Sequence, residues 1–235
     1  ADGGVFTGNH ATENGGAIYN DGNGSLTIQG GEFSGNYTDS GDGGVIYNGS
    51  GALDIQGGKF SDNHAAGNGG VIYNGSGALD IQGGEFSGNS ATVGDGGVVY
   101  NASGAGAMNI AGGVFTDNHA GGNGGAVYNA SAEGMTVFAA FGGNHAANGG
   151  AIYNNGGTVK LTGTAGLTQT TVQFIYSGDK NLAANGGYLY NEAGSLTLKK
   201  VSLAGGKAAD GGAIYGKGGS ITIQSSYLGQ DTGGN

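Results

Sequence analysis

Residues 57–74 read GGKFSDNHAAGNGGVIYN and contain the two motifs that decide the fold. The first motif, at 57–63, is Gly-Gly-x-Phe-x-x-Asn, and the second, at 69–74, is Gly-Gly-Val-Ile-Tyr-Asn. A short alternating run, Leu-Asp-Ile, follows at 79–81. Short apolar or alternating segments bounded by glycine and asparagine are typical of β-strands. The stretch therefore predicts three short strands separated by turns.

The same unit recurs along the chain, every 25 to 29 residues in the first six copies. A three-residue strand cannot bury its apolar face alone, but stacked copies pair each strand with its equivalents at about 4.8 Å. No segment has helical spacing with caps, which disfavours a leucine-rich-repeat solenoid. The sequence predicts an all-β fold, a three-sided parallel β-helix of about eight rungs, right-handed by the usual chirality of parallel crossovers. We expect one domain over residues 1–235.

Two columns of identical residues follow from this stacking. The asparagine of each Phe-x-x-Asn motif falls at the same corner of every rung, where stacked amides hydrogen-bond along the axis. The phenylalanine of each motif is expected to form an aromatic stack inside the solenoid. The asparagine column is Asn9, Asn36, Asn63, Asn89, Asn118 and Asn144. The phenylalanine column is Phe6, Phe33, Phe60, Phe86, Phe115 and Phe141.

A third column consists of the tyrosines of the second motif. If Ile18 and Asn20 face inward, strict alternation turns Ala17 and Tyr19 outward. The tyrosines then form a candidate interaction stripe flanked by alanine or valine, although a purely structural role is the other interpretation. The stripe comprises Tyr19, Tyr47, Tyr73, Tyr100, Tyr128 and Tyr153, and the column continues to Tyr190 and Tyr215.

The repeat becomes irregular at residues 162–180, where the spacing between glycine pairs increases to 37 residues, from Gly149 to Gly186. We interpret 162–180 as an insertion loop within the domain, with 174–176 as a disguised copy of the Phe-containing strand. Departures from a solenoid's symmetry often carry function, and they also arise by sequence drift. Both interpretations stay open at this point.

The composition excludes several classes of protein. Glycine accounts for 59 of 235 residues, yet proline is absent and no Gly-X-Y period exists, which excludes collagen. The formal net charge is −10 and all seven basic residues are lysine, which argues against a nucleic-acid partner. Apolar runs are too short for a membrane-spanning helix. The absence of cysteine excludes disulfides and thiolate metal sites.

We find no catalytic, cofactor-binding or metal-binding constellation in the sequence. Asp54 and Asp80 lie one rung apart, but they alternate outward with threonine, asparagine and lysine, as a solvated face does. Polysaccharide lyases on β-helices use an arginine, and this chain has none. We therefore expect the protein not to be an enzyme.

Histidines and glycosylation sequons are likewise interpreted as structural or surface features. Histidine follows the ladder asparagine in four copies, and His119 and His145 are expected on adjacent rungs. Two imidazoles alone make a weak metal site, so surface histidines are the preferred interpretation. Sequons that stack at one corner are too close together for a glycan on each. The four histidines are His10, His64, His119 and His145, and the stacked sequons begin at Asn48, Asn74, Asn101 and Asn129.

Tandem Phe-x-x-Asn and Gly-Gly-Ala-Ile motifs resemble the repeats of chlamydial polymorphic outer-membrane proteins and related autotransporter passengers. The resemblance covers roughly residues 3–224. It implies a secreted β-helical passenger that is displayed on a bacterial surface and acts in adhesion. The family offers no active site to carry over. This chain departs from the chlamydial members in lacking cysteine.

Together these observations predict an extracellular or surface-bound bacterial protein that serves as an adhesin or a display stalk. Its expected partners are host or neighbouring-cell surface molecules, or a second copy bound head to tail; nucleic acid and membrane insertion of this segment are not expected. One alternative is a filament subunit that stacks end to end, because the chain starts and stops inside a repeat. A second is a carbohydrate-active enzyme that uses loop 162–180, including Asp179.

Overall fold

The computed structural model describes residues 3–163 and 181–229. Within these ranges the chain forms only strands and turns, and every strand pair is parallel. Three large sheets run along a solenoid of about seven turns. The tyrosine-containing strand occurs at eight stacked levels. The prediction of a three-sided parallel β-helix is thereby confirmed, and its right-handedness stays a prediction.

Each of the first five rungs contains four strands, one more than the sequence predicts. In the second rung they are Glu32–Ser34, Tyr37–Thr38, Ile46–Asn48 and Leu53–Ile55. The additional strand follows the ladder asparagine and has only two residues. We name the four series the Phe, His, Tyr and Leu strands after their recurrent residues. Period-two alternation does not reveal the His strands because two residues are too few to show it.

The bounds of the strands follow their series. The Phe strands are Val5–Thr7, Glu32–Ser34, Lys59–Ser61, Glu85–Ser87, Val114–Thr116 and Ala140–Gly142. The His strands are His10–Ala11, Tyr37–Thr38, His64–Ala65, Ser90–Ala91 and His119–Ala120. The Tyr strands are Ile18–Asn20, Ile46–Asn48, Ile72–Asn74, Val99–Asn101, Val127–Asn129 and Ile214–Gly216. The Leu strands are Leu26–Ile28, Leu53–Ile55, Leu79–Ile81, Met108–Ile110, Met135–Val137 and Ser220–Gln224.

Two long strands join the Tyr and Leu series into a single sheet. Ile152–Thr162 and Leu189–Lys199 each run through both positions without a break and pair with each other, with register shifts beside Asn155. These two strands make the Tyr and Leu series one 14-stranded sheet. A separate pair, Ser202–Ala204 and Tyr227–Gly229, lies at the far end of the described chain.

The core is a column of stacked side chains rather than a compact cluster. Successive phenylalanine rings lie 4.6 to 4.9 Å apart, centroid to centroid, and nearly parallel. Rings from Phe33 to Phe141 are at most 3% exposed, whereas Phe6 on the first rung is 38% exposed. Isoleucine, leucine and methionine of the Tyr and Leu strands fill the rest of the interior.

The residue before each Tyr strand faces inward, which corrects the prediction that alanine and valine flank the tyrosine stripe. Val45 is fully buried in the core. The backbone amides of Val45 and Ile46 both donate to the carbonyl of Val71, at 3.0 and 2.8 Å. Two successive residues thus bond to one carbonyl, as at a β-bulge, and strict alternation begins only at Ile46.

The paired glycines of the second motif have two different tasks. The first glycine, Gly69 for example, has φ of +66°, a left-handed conformation that residues with a Cβ rarely adopt. The second, Gly70, has no room for a side chain, because a Cβ there would overlap the carbonyl oxygen of Gly97 in the next rung. The glycine pair therefore lets the chain turn its corner while rungs approach closely.

Three asparagine ladders run along the solenoid, where the sequence predicts one. The Phe-x-x-Asn ladder continues beyond Asn144 to Asn181, whose Oδ1 accepts the Asn144 amide at 3.0 Å. A second ladder lies at the end of the Tyr strands, where Asn48 donates to Asn74 at 2.9 Å. The third lies before the glycine pairs. Its members are Asn14, Asp42, Asn68, Asp95, Asn123, Asn148 and Asn185.

Amide ladders also account for the stacked sequons. Asn48, Asn74, Asn101 and Asn129 are all completely buried, and each amide bonds to the next. A glycan could be attached at these positions only if the ladder were dismantled. Among the described residues, every buried side-chain nitrogen and oxygen has a hydrogen-bond partner.

Candidate functional site

The tyrosine column forms one continuous stack on the outer face of the Tyr strands. Each tyrosine lies between an inward isoleucine, valine or leucine and, in every strand but the last, an inward asparagine, so its ring points away from the core. Eight rings stack with centroids 4.8 to 5.4 Å apart and nearly parallel planes. The rings are Tyr19, Tyr47, Tyr73, Tyr100, Tyr128, Tyr153, Tyr190 and Tyr215.

Stacking determines which part of each ring meets solvent. From Tyr47 to Tyr190 both faces of every ring are covered by its neighbours in the column. Edges and hydroxyl groups remain for contact with a partner. Sugar-binding proteins commonly present an open aromatic face, and this column does not offer one between those residues. Its recognition chemistry is that of hydrogen-bonding phenol groups at a regular spacing.

Exposure divides the column from Tyr19 to Tyr190 into two parts, and Tyr215 at its end is half-buried. Tyr19, Tyr47, Tyr73 and Tyr100 are exposed or half-buried, and no hydroxyl of these four has a hydrogen-bond partner among residues 3–163 and 181–229. We call these four the open half. Tyr128, Tyr153 and Tyr190 are at most 8% exposed and form a cluster of their own. We call these three the covered half.

Polar side chains from later rungs bond to the covered half. Asn155 donates to the hydroxyl of Tyr128 at 3.1 Å, and the hydroxyl of Tyr153 donates to Glu192 at 3.0 Å. Glu192 also forms an ion pair with Lys217, at 2.7 Å. The hydrogen bond from Lys217 is the main reason that the pKa of Glu192 is lowered. The hydroxyls of Tyr128 and Tyr153 in the covered half are thus hydrogen-bonded within the protein.

Burial raises the pKa of three of the four phenols of the open half. It raises the pKa of Tyr47 and Tyr73, with smaller contributions from nearby Asp42, and raises the pKa of Tyr100 to about 12. Neighbouring phenols and Asp95 add to the effect at Tyr100. The hydroxyls of Tyr47, Tyr73 and Tyr100 are therefore neutral hydrogen-bond donors and acceptors throughout the physiological pH range, and Asp42 and Asp95 lie nearby.

Asp95 belongs to the third ladder, where a carboxylate replaces an amide. Its Oδ1 accepts the backbone amide of Asn123 at 2.6 Å and the side-chain amide of Asn123 at 3.0 Å. Burial nevertheless raises the pKa of Asp95. The Asp95 carboxyl therefore binds its proton more tightly in the folded chain than in the unfolded chain. The contribution of Asp95 to the free energy of unfolding falls as pH rises from the ordinary aspartate pKa through the raised one.

We expect Asp95→Asn to raise the free energy of unfolding at pH 7 by about 0.5 to 1.5 kcal/mol, because an amide there keeps the acceptor and adds a donor. The advantage should shrink as pH falls through the raised pKa of Asp95, because protonation removes the buried charge of the wild-type carboxyl. Urea denaturation at several pH values measures it. Asp54→Asn, on the exposed face of a Leu strand, removes the same charge as a control. A destabilised Asp95→Asn variant would contradict the prediction.

The two acidic residues considered for catalysis are bonded to amides. Asp54 accepts from Gln56 at 2.8 Å and from Gln82 at 2.9 Å, and Asp80 accepts from Gln82 and Asn109. Both lie on the outer face of the Leu strands. The segment proposed as a loop, 162–180, lies outside the described residues from 164 onward, as do 174–176 and Asp179.

The histidines occupy one column on the outer face of the His strands. Nε2 of His10 lies 2.8 Å from Oδ2 of Asp39, and the His10 ring is stacked on Tyr37. His64 contacts Ser90 through Nδ1 at 2.9 Å. Nδ1 of His119 and Nδ1 of His145 approach to 3.1 Å. In the described part of the chain, no group of three or more histidine, aspartate or glutamate side chains could hold a metal ion.

Comparison with known proteins finds one family repeat that parts of this chain resemble. Three segments match the Chlamydia polymorphic membrane protein repeat, at residues 3–21, 58–75 and 112–130. These three segments are similar to that repeat. Each matching segment runs from a Phe strand through a His strand to a Tyr strand, and the resemblance predicted from the two motifs is confirmed.

The three matching segments contain members of the asparagine ladder, the histidine column and the tyrosine column. The Leu strands lie outside the three matching segments. A search of curated proteins found no match, and neither did a search of solved structures. No helix in residues 3–163 and 181–229 is long and apolar enough to cross a membrane.

Sequence reasoning selected the tyrosine column but missed three features of the site. It did not divide the column into open and covered halves, because the covering residues come from later rungs. It did not place Asp42 and Asp95 in a ladder, although each precedes a glycine pair as Asn68 and Asn123 do. It did not extend the first ladder to Asn181, although 181–187 reads NLAANGG and 144–150 reads NHAANGG.

Proposed function

We propose that the chain is part of a β-helical passenger on a bacterial surface and acts as an adhesin or display stalk. The three repeat matches support association with an outer membrane or cell surface. The proposed contact face is the open half of the tyrosine column, and the partner is a molecule of a host or neighbouring cell. We propose binding without chemical turnover.

One observation carries the proposal, namely that the open half presents phenol hydroxyls on a rigid support without a hydrogen-bond partner in the described part of the chain. The rings of Tyr47, Tyr73 and Tyr100 are 4.9 and 5.4 Å apart and anchored by parallel strands on both sides. Such a row loses little side-chain entropy when it is bound, because stacking already restricts each ring. Hydroxyls left without an internal partner gain the most from an external one.

Replacing hydroxyls while keeping the stack tests the contact face. We expect Tyr73→Phe combined with Tyr100→Phe to reduce binding of the purified chain to cultured epithelial cells about tenfold. Two lost hydrogen bonds contribute about 0.5 to 1.5 kcal/mol each, and 1.4 kcal/mol corresponds to a factor of ten. Phenylalanine should keep the stack, since the Phe column has nearly the same ring spacing. Flow cytometry with labelled protein measures the bound fraction.

Tyr37→Phe is the matched control, because it removes an exposed hydroxyl from the His strands, away from the stripe. Circular dichroism should show the same fold for all variants. Wild-type binding by the double variant would place the contact face elsewhere. If the wild-type chain binds no cell type, the adhesin role is wrong and the display-stalk role remains.

A further inference from the structure

Two histidines of the His column have a geometry that the rest of the column lacks. His119 and His145 are direct neighbours in a parallel bridge between consecutive rungs, and both side chains are exposed. Their ring planes are tilted by 30° with centroids 5.1 Å apart, and the two Nδ1 atoms are 3.1 Å apart. The short distance means that the rings approach each other through their Nδ1 edges.

That separation matches the bite of a metal chelate. A zinc ion lies about 2.0 to 2.1 Å from each imidazole nitrogen. Two such nitrogens are about 2.9 Å apart at a right angle and about 3.4 Å apart at the tetrahedral angle. The observed 3.1 Å falls between these limits. One Nδ1–H donates to the other Nδ1 across this distance, and a divalent ion that replaces the proton would be bound by both nitrogens.

Surrounding residues leave the site of such an ion accessible. The residues two positions further along, Gly121 and Ala147, are small and exposed, so water can complete the coordination sphere. Next in the column, Ser90 lies beside His119 and its hydroxyl contacts His64.

We propose that His119 and His145 form a two-imidazole site for a late first-row divalent ion such as Zn²⁺, Ni²⁺ or Cu²⁺. Imidazole nitrogen suits these ions, whereas Mg²⁺ and Ca²⁺ prefer oxygen ligands. A bound ion joins two consecutive rungs and so stabilises their stacking. This site does not depend on the proposed function in adhesion, because it lies on a different series of strands.

Isothermal titration of an untagged chain with ZnCl₂, NiCl₂ and CuCl₂ tests the proposal. We expect one ion per chain, tightest binding for Cu²⁺, and no heat with MgCl₂. His119→Ser and His145→Leu should each weaken binding at least about tenfold, because the chelate becomes a single ligand. Both replacements already occur at the equivalent positions of adjacent rungs, Ser90 and Leu182, so these variants should fold.

His64→Ser is the matched control, since it removes a histidine of the same column that has no histidine neighbour. It should bind like the wild type. The proposal is overturned if His119→Ser binds as tightly as the wild type, which would place the ion on other surface groups. It is equally overturned if none of the three transition-metal ions gives binding heat with the wild-type chain.

Discussion

Asn63→Ala should lower the free energy of unfolding by about 3 to 5 kcal/mol. Asn63 is completely buried in the first ladder and takes part in four side-chain hydrogen bonds. Its Oδ1 accepts two bonds from Asn36, and its Nδ2 donates to Phe33 and Asn89, all at 2.9 Å. Each buried group left without a partner costs about 1 to 3 kcal/mol, and neighbouring amides can satisfy only some of the four.

Urea denaturation followed by circular dichroism measures this loss. Asn109→Thr is the control, because Asn109 is exposed on a Leu strand and the next rung carries Thr136 at the paired position. We expect the control to change stability by less than about 0.5 kcal/mol. Equal stabilities for the two variants would mean that the ladder does not hold the rungs together.

Phe60→Ala should cost about as much, roughly 3 to 5 kcal/mol. Phe60 is completely buried, and its ring is stacked between Phe33 and Phe86 at 4.7 and 4.8 Å. Truncation leaves a cavity between two rungs whose backbones are held in register by parallel pairing. The site cannot collapse without breaking those pairs, so most of the cavity cost remains.

Phe6→Ala provides the comparison for Phe60→Ala. Phe6 is 38% exposed and is stacked on one side, against Phe33. Its truncation removes less buried surface and leaves a void open to solvent. We expect less than half of the loss seen for Phe60→Ala, measured by the same denaturation experiment. Similar losses at both positions would contradict a core built from stacked rings.

The repeat pattern was sufficient to predict the fold. Because residues such as Phe33 and Phe60 recur at a nearly constant interval, each must lie on its equivalent in the next rung, whatever the details of the turn. The same argument anticipated the Asn36–Asn63 ladder and the outward direction of Tyr47. It failed where the backbone departs from ideal alternation, as at Val45, and where a strand is too short to show a period, as in the His strands.

The repeat pattern specified the repeating unit, its strands and the columns that identical residues form, because stacking repeats one local environment many times. Which tyrosines are open and which are covered depends instead on packing between separate rungs. Glu192, for example, reaches Tyr153 from 39 positions along the chain. The same holds for the 3.1 Å approach of the imidazoles of His119 and His145. Such differences arise where the repeat is broken, and contacts between non-identical residues of separate rungs are not contained in the pattern of a single rung.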